Sequence, residues 1–435
     1  MKKVEHLTNS NTMNGRPEQP ISNGMNQFQV IVVGGGASGM MAAGRAASLG
    51  KKVLIIEKNR ALGEKLKITG GGRCNITNAE ENIRTFMANY GASEQFLYSP
   101  FAIFGVSQTV AFFEGLGLPI VVQARKRAFP ATEKALDVFK ALERYIKRGN
   151  VTILTGSPVT RIEAILGHIE GIVTPSGTYT ASSYIIATGG MSHPETGSTG
   201  DGFNWLKTLG HTVAEPTPTI VPLAVKEAWV HALAGVSLSF MKITFFTDGK
   251  KSFSKTGKLL FTHFGLSGPL ILNSAGKVGD LLHDGLVTAT IDCYPDTDHS
   301  TLEQKIIATF DANKNKHVKN IFDDIVPHGM IATLFSLLPT LTPDTKVHSV
   351  TKEDRKQLLN LLKALPITIT GLMGYDRAVV ADGGVPLTEI DMKTFKSKMV
   401  GNMFVTGDLL HITRPSGGFS LQLCWTSGYI AGSNA

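Results

Sequence analysis

The chain has 435 residues, 42% of them hydrophobic and 18% charged, with 43 basic against 35 acidic side chains and a formal net charge of +8. That length suits two or three domains with a sizeable buried core, and the basic residues lie scattered in short groups such as Arg125–Arg127 and Lys250–Lys251, which fits a moderately basic soluble surface rather than a nucleic-acid platform. Three cysteines far apart (Cys74, Cys293, Cys424) exclude a disulfide framework and point to a reducing cytoplasm, and no His/Cys/carboxylate cluster has metal-ligand spacing.

Residues 1–27 are polar, with no apolar segment behind Lys2 and Lys3, so a disordered leader is expected rather than a secretory signal. No run reads as a membrane span; the most apolar, Phe28–Leu49, is interrupted by Gly34–Gly36 and Arg45. Val30–Val33 is a β-branched run of the kind buried on both faces of a parallel sheet. Gly34, Gly36 and Gly39 then form a G-x-G-x-x-G turn into a helix rich in Ala and Met, and Val53–Ile56 is a second buried strand ending in Glu57. Together these make the dinucleotide fingerprint. Gly34 permits the tight turn, Gly36 lets a pyrophosphate approach the backbone, and Gly39 lets helix and strand pack closely. The helix N-terminus, with Ala37 beside it, offers N–H groups to phosphate. Glu57, with Lys58 following it, is the acceptor for ribose hydroxyls, and an acid there argues against a 2′-phosphate.

Next, Gly70, Gly71 and Gly72 suit backbone lying against something bulky, and Arg73 is placed to reach a pyrophosphate or a ring carbonyl. Val151–Leu154 and Val159–Ile162 read as strands. Ile169–Val173 and Tyr179–Ala187 read as a hairpin turned at Pro175–Gly177, emerging into Ala187, Thr188 and Gly189, where no large side chain separates backbone from a cofactor. Lys242–Phe246 and Leu286–Ile291 are strand-like. Thr301–Leu365 is helical in pattern, with apolar residues three and four apart (Ile306, Ile307, Phe310; Ile331, Leu334, Leu337). Finally, a strand at Met403–Thr406 leads to Gly407 and Asp408, and Gly417–Gly418 opens a helix to about Ala431. A short carboxylate after a strand suits a polyol hydroxyl, and a glycine-opened helix suits an anionic reduced ring. Strands from both ends of the chain meeting at one ligand suit FAD, whose ribityl and tricyclic ring exceed what a nicotinamide enzyme needs.

The chain resembles the aminoacetone-oxidase-like and bile-acid-reductase-like family of NAD(P)/FAD-dependent oxidoreductases. The blocks VVGGGASGMMAA, GEKLKITGGGRCNITN, RAFPATEKALDV, YIIATGG, LLFTHFGLSGPLIL, DGGVPLTEID, TFKSKMVGNMFVTGD and SGGFSLQLCWTSGYIAG carry the resemblance, in order, from about residue 30 to 432. It implies an α/β fold: a Rossmann-type, glutathione-reductase-like FAD-binding domain split in sequence into 28–195 and 366–435. Between these would lie a β-barrel-like insert (196–300) and a small helical portion (301–365). It also implies that Gly34, Gly36, Ser38 and Gly39 face the pyrophosphate and Glu57 the adenosine ribose. Lys65 and Gly70–Asn75, including Cys74, would line the ribityl and flavin. Val159 would meet the adenine, and Thr188, Gly189, Gly407, Asp408, Gly418 and Phe419 would lie against the cofactor. The chain departs from the family where it has Asp408 for Glu, His411 and Arg414 in a stretch elsewhere acidic, and Ser420 for Asn. This more basic loop points away from a cationic amine and toward an acid or a polar carbonyl compound.

His411 and Arg414 are the candidates for chemistry in that loop. His263 is a strand-end residue or a pocket residue, and Cys74 a packed residue or a redox thiol. GLSG at Gly265–Gly268 lacks the context of a nucleophile elbow. The expectation is a soluble FAD-dependent oxidoreductase acting on a small molecule. No second G-x-G-x-x-G provides a nicotinamide domain, so NAD(P)H would dock transiently. Reductase and O2-using amine or amino-ketone oxidase stay open, and so does the oligomeric state. An RNA-modifying or RNA-binding flavoprotein is the alternative of another class. Against it, the insert's lysines (Lys305, Lys314, Lys316, Lys319) lack interleaved aromatics.

Overall fold

The structure is a computed structural model that describes residues 27–435; the leader expected over 1–27 lies, but for its last residue, outside the described residues. Gln27–Val33 forms the centre of a parallel sheet, pairing with Val53–Ile56 on one side and Gly177–Ile186 on the other. Val151–Leu154 extends the sheet beyond Val53–Ile56, and Met403–Val405 joins it beside Gly177–Ile186, also parallel. The expected hairpin is present as His168–Thr174 and Gly177–Ile186, and Arg161–Ile165 adds an antiparallel third strand. That strand begins two residues later than the Val159 start expected from sequence. The backbone of 156–157 is instead bonded to Glu57 and Asn59.

The fingerprint helix, Ala37–Ser48, is buried over most of its length because its residues are small enough to pack on both flanks. A Cβ at Gly44 would lie 2.3 Å from the Tyr145 ring of helix Ala135–Lys147. On the other flank, Gly428 and Gly432 of helix Phe419–Asn434 approach so closely that a Cβ on either would lie 2.4 or 2.3 Å from a carbonyl oxygen of the fingerprint helix. The last helix of the chain is thereby seated against the first.

A second core lies in a closed barrel of antiparallel strands in the order Leu223–Val225, Gly265–Ser267, Lys250–Thr262, Ser237–Thr247, Val287–Asp292 and Leu365–Leu372. Val287, Ala289 and Ile291 point inward and alternate with half-buried residues. Helices His299–Ala312, Ile331–Leu337 and Lys352–Lys363 pack onto the same core through Leu302, Ile306, Phe310, Leu334, Leu358 and Leu362. Ile307 of the expected apolar stripe is exposed. The cores divide the chain differently from the boundaries at 196 and 366. Helix Asp201–Thr208 belongs to the first core through Phe203 and Leu206, and Leu365–Leu372 is the strand that closes the barrel. A ribbon of Ala214–Ile220 paired with Val380–Gly384 joins the two cores.

The segment Ile83–Gly115, mean hydropathy 1.4, is long and apolar enough by composition to cross a membrane. Gly91, at φ 52°, and the turn at Phe104–Gly105 break it, leaving Glu94–Ile103 and Val106–Gly115 as helices of 10 residues. Each is about 15 Å long, half a bilayer core.

Candidate functional site: a cleft along the sheet edge

Val33, Ile56, Ile186 and Val405 are aligned at one edge of the parallel sheet. The chain segments leaving that edge carry Gly34, Glu57, Ala187 and Gly407, so residues hundreds of positions apart converge at the carboxyl ends of the strands, where open α/β sheets bind ligands. They open onto a cleft of about 610 Å³, and a smaller cavity of about 40 Å³ adjoins it, sharing Gly34, Glu57, Thr188 and Gly197.

At this end the three fingerprint glycines have distinct geometries. Gly34 has φ 103°, and a Cβ on it would lie 2.6 Å from the Ala187 carbonyl oxygen. A Cβ on Gly39 would lie 1.9 Å from the Gly34 carbonyl oxygen. A Cβ on Gly36 would meet nothing within 4 Å and would stand in the space beside the helix N-terminus. Glu57 is 8% exposed; its Oε2 accepts from the Gly35 N–H at 2.7 Å and its Oε1 from the Asn59 N–H at 2.8 Å. It therefore fixes the glycine turn and keeps lone pairs for a further donor. Val159 and Lys58 line the smaller cavity, the Lys58 ammonium 2.7 Å from Asp201.

Further along, Ala37, Ser38, Lys65, Gly70, Gly71, Arg73, Asn75, Ala187, Thr188, Gly189, Asp408 and Gly418 line the cleft. Gly70, Gly71 and Gly72 all take left-handed backbone, at φ 59°, 66° and 83°. The Lys65 ammonium stands 3.7 Å from Asp408 and 3.2 Å from the Ser192 hydroxyl. Helix Phe419–Asn434 begins at the cleft wall, with Gly417, Gly418, Ser420, Leu421 and Cys424 lining it. Its opening glycine fits so tightly that a Cβ would lie 2.3 Å from Thr77 backbone.

Five other sequence candidates support the cleft without lining it. Gly39 and Gly407 are packing positions, the latter with its N–H donating to Ser427. Gly72 completes the turn but is outside the lining. Phe419 is buried among Phe86 and Tyr90. Cys74 is fully buried beneath the turn, and burial pushes its thiol up to about 12, so it is a packed residue and not a thiolate.

The basic loop is the main departure from expectation. Arg414 is 4% exposed and is neither a surface residue nor a lining residue. Its guanidinium pairs with Asp408 and donates to the Ile412 carbonyl and the Ser420 hydroxyl. Asp408 is thus gripped from behind by Arg414 while Lys65 approaches it from the cleft. The reason is the loop's inward path: Leu410 and Ile412 are buried on either side of exposed His411. His411 does not line the cleft, and neither does His263.

Sequence reading missed His193, Asn59, Asn78, Arg125, Arg127, Phe129, Pro269, Leu272, Asn273, Val379 and Cys424, all of which line the cleft. Some had a signal. His193 follows the ATGG turn, and Arg127, Phe129, Pro269 and Leu272 fall within family blocks. His193 has φ 54°, and its Nδ1 lies 2.8 Å from Glu195 Oε1. Cys424 is pushed up to about 12 by burial and then by Asp408.

The donor set fits a flavin dinucleotide. Arg73 Nε, Asn75 Oδ1 and Thr188 Oγ1 are buried at the cleft without hydrogen-bond partners among the described residues. The void at Gly36 adds a place for the pyrophosphate. The cleft runs from Glu57 to Gly417, which would give an adenosine end at the first and a ring end at the second.

Residues 28–434 match the family described as HI0933-like protein Rossmann domain. The 3-dehydro-bile acid delta(4,6)-reductase of Clostridium scindens is 28% identical, over 94% of this chain and 98% of that protein. The ribosomal RNA dihydrouridine synthase of Haemophilus influenzae is 26% identical, over 93% and 98%. The solved 3-ketosteroid-delta4-(5alpha)-dehydrogenase of Rhodococcus jostii superposes with a TM-score of 0.52 at 16% identity, covering 95% of this chain and 98% of that one, and shares the fold. The chain belongs to the HI0933-like family. It has a Rossmann-type FAD-binding domain and is an FAD-dependent oxidoreductase.

Proposed function

We propose that this HI0933-like flavoprotein is a reductase that adds hydrogen across a carbon–carbon double bond conjugated with a carbonyl, with NAD(P)H as the electron donor. The relatives' names support that reaction class: a delta(4,6)-reductase of a 3-dehydro-bile acid and a synthase of dihydrouridine each describe saturation of an unsaturated carbonyl compound. The observation that carries the reading is the ring end of the cleft. It is walled on one side by Asn78 and Phe129 and on the other by Pro269, Leu272 and Asn273 of the barrel core, a chamber for a substrate apart from the adenosine end.

FAD, when bound, supplies the hydride. The protein's own residues hold and enclose. Lys65 and Asp408 would hold the ribityl hydroxyls, and Arg73, Asn75 and Thr188 would give their unpartnered polar atoms to the cofactor. Ser416 donates both its N–H and its hydroxyl to Asn273 Oδ1, at 3.0 and 2.8 Å, tying the barrel side of the chamber to the loop before the last helix. His193, oriented by Glu195, is the lining histidine able to hand a proton to the substrate.

Anaerobic stopped-flow tests the reading. NADH or NADPH should bleach the flavin, and a small enone such as cyclohex-2-enone should reoxidise it faster than O2 does. Bleaching by primary amines with reoxidation by O2 alone would instead establish an oxidase. The dihydrouridine synthase relatives favour an RNA base as a second substrate reading. Reoxidation by a uridine-containing RNA together with a salt-sensitive tRNA gel shift would establish that one.

A further inference from the structure

We infer that the ring end of the cleft contains an anion-binding subsite, built from Arg125 and Arg127, that takes the carboxylate or phosphate of an otherwise apolar organic compound. The inference deepens the reductase reading by naming the class of ligand that enters the chamber.

Arg125 and Arg127 both line the cleft. They sit in a turn between Ile120–Gln123 and Arg127–Pro130 in which two successive non-glycine residues, Arg125 and Lys126, take left-handed backbone at φ 61° and 56°. The turn is anchored beside the start of the last helix: Asn78 Nδ2 donates to the carbonyls of Arg125 and Gly417, at 3.2 and 3.4 Å. The arginines therefore stand at the ring end and not at the adenosine end.

Neither arginine has an acidic partner within 4 Å among the described residues. The nearby acids are already engaged, Glu80 by Lys126 and Glu133 by Arg73. The carboxylates lining the cleft are engaged as well. Glu64 pairs with Lys67, Asp408 with Arg414 and Lys65, and Glu57 accepts from backbone at the far end.

Lys255 adds positive charge behind the opposite wall without lining the cleft. The Lys255 ammonium donates at 2.6 Å to the carbonyl of Asn273, a lining residue. Burial first, and then the neighbouring Lys277 charge, push Lys255 below the ordinary lysine value. Two guanidiniums without acidic partners among the described residues line one chamber, and an ammonium lies behind its other wall, so the charge balance favours an arriving anion.

Between these walls the cleft is apolar. Ile68 and Val379, 44% and 49% exposed, line it with Pro269 and Leu272. Cations at the rim and uncovered apolar side chains within suit an amphipathic small anion. A nucleic-acid track would instead need exposed rings for stacking, and the lining's aromatic, Phe129, is buried and lies under the Arg73 guanidinium.

The test uses the oxidised FAD-bound protein, which has no electrons to transfer, so its outcome does not depend on the reductase reading. The flavin spectrum is titrated with trans-cinnamate and with its neutral analogue cinnamamide. Cinnamate should bind at least tenfold tighter. The Arg125→Gln/Arg127→Gln double variant should lose that tenfold with cinnamamide affinity and FAD content unchanged. Stopped-flow reduction separates the two sources of the anion. A loss confined to NADPH relative to NADH assigns it to the donor's 2′-phosphate; a loss confined to cinnamate assigns it to the substrate. Equal affinity for cinnamate and cinnamamide, or unchanged cinnamate affinity in the double variant, overturns the subsite. So does displacement of cinnamate by bulk tRNA far below the concentration of monomeric phosphate needed.

Discussion

The two ends of the cleft are built in opposite ways. The adenosine end is largely backbone. Gly34, Gly36 and Gly39 lie within six residues, and Glu57 joins them from the adjacent strand by accepting the Gly35 N–H. The ring end adds side chains to its glycine turns, drawn from around residues 70, 125, 190, 272, 408 and 417. A binding surface made of backbone needs a strict local residue order, whereas one made of side chains needs only that the fold bring them together. The first is therefore written in a motif, and the second is free to vary.

Replacing the fingerprint glycines is the sharpest way to break this comparison. Gly39→Val should give no folded protein, because even a Cβ there lies 1.9 Å from backbone; the overpacking exceeds the roughly 1–3 kcal/mol usual for added methyl groups. Gly36→Val should fold with a nearly unchanged apo melting temperature yet bind no flavin, since its side chain enters open cleft. Thermal melts and flavin content, read together, separate the two. Flavin binding by the valine variant at position 36 would remove the pyrophosphate from that place.

Next in size is Arg414→Ala. It leaves the Asp408 carboxylate, gripped in the native protein from behind, without its buried partner, at about 3–5 kcal/mol by urea denaturation. Breaking the exposed Lys207–Glu215 pair should by contrast change stability by under about 1 kcal/mol.

Asp382 gives a smaller and pH-dependent effect. It lies in the ribbon between the cores, and its Oδ1 is buried without a partner among the described residues. Burial raises its carboxyl above the ordinary aspartate value, against the opposing pull of Arg414 and His411. A carboxyl raised in the folded state holds its proton there while the unfolded chain has lost it. Its destabilisation is therefore absent below the unfolded value and grows as pH rises toward the folded one. Asp382→Asn should raise the melting temperature at pH 7–8 and lose that advantage as pH falls toward 4. A gain that is constant with pH would mean the carboxyl titrates normally. Smallest of all, His411→Ala should leave flavin reduction unchanged and stability within about 0.5 kcal/mol, because the side chain is exposed outside the cleft.

The legible and illegible parts of the fold divide along the same line. The strands at Val30–Val33 and Val53–Ile56, the hairpin and the glycine-opened last helix were readable because hydrophobic period and glycine placement are local. Arg414 was misread as facing a ligand because nothing in HITRPS says which way the loop runs; burial of Leu410 and Ile412 turns it inward. The boundary at 366 was placed too early because Leu365–Leu372 alternates like any strand, and only barrel closure decides which sheet it joins.

By itself, then, the sequence determined a dinucleotide fingerprint, a flavin-sized convergence of both chain ends and the family, since each depends on residue order along short segments. The tertiary structure alone decided that Asp408 is held by Arg414, that His193 rather than His411 reaches the cleft, and that Arg125 and Arg127 line its ring end. Charges and hydrogen bonds act over a few ångströms in space, and sequence separation says nothing about that distance.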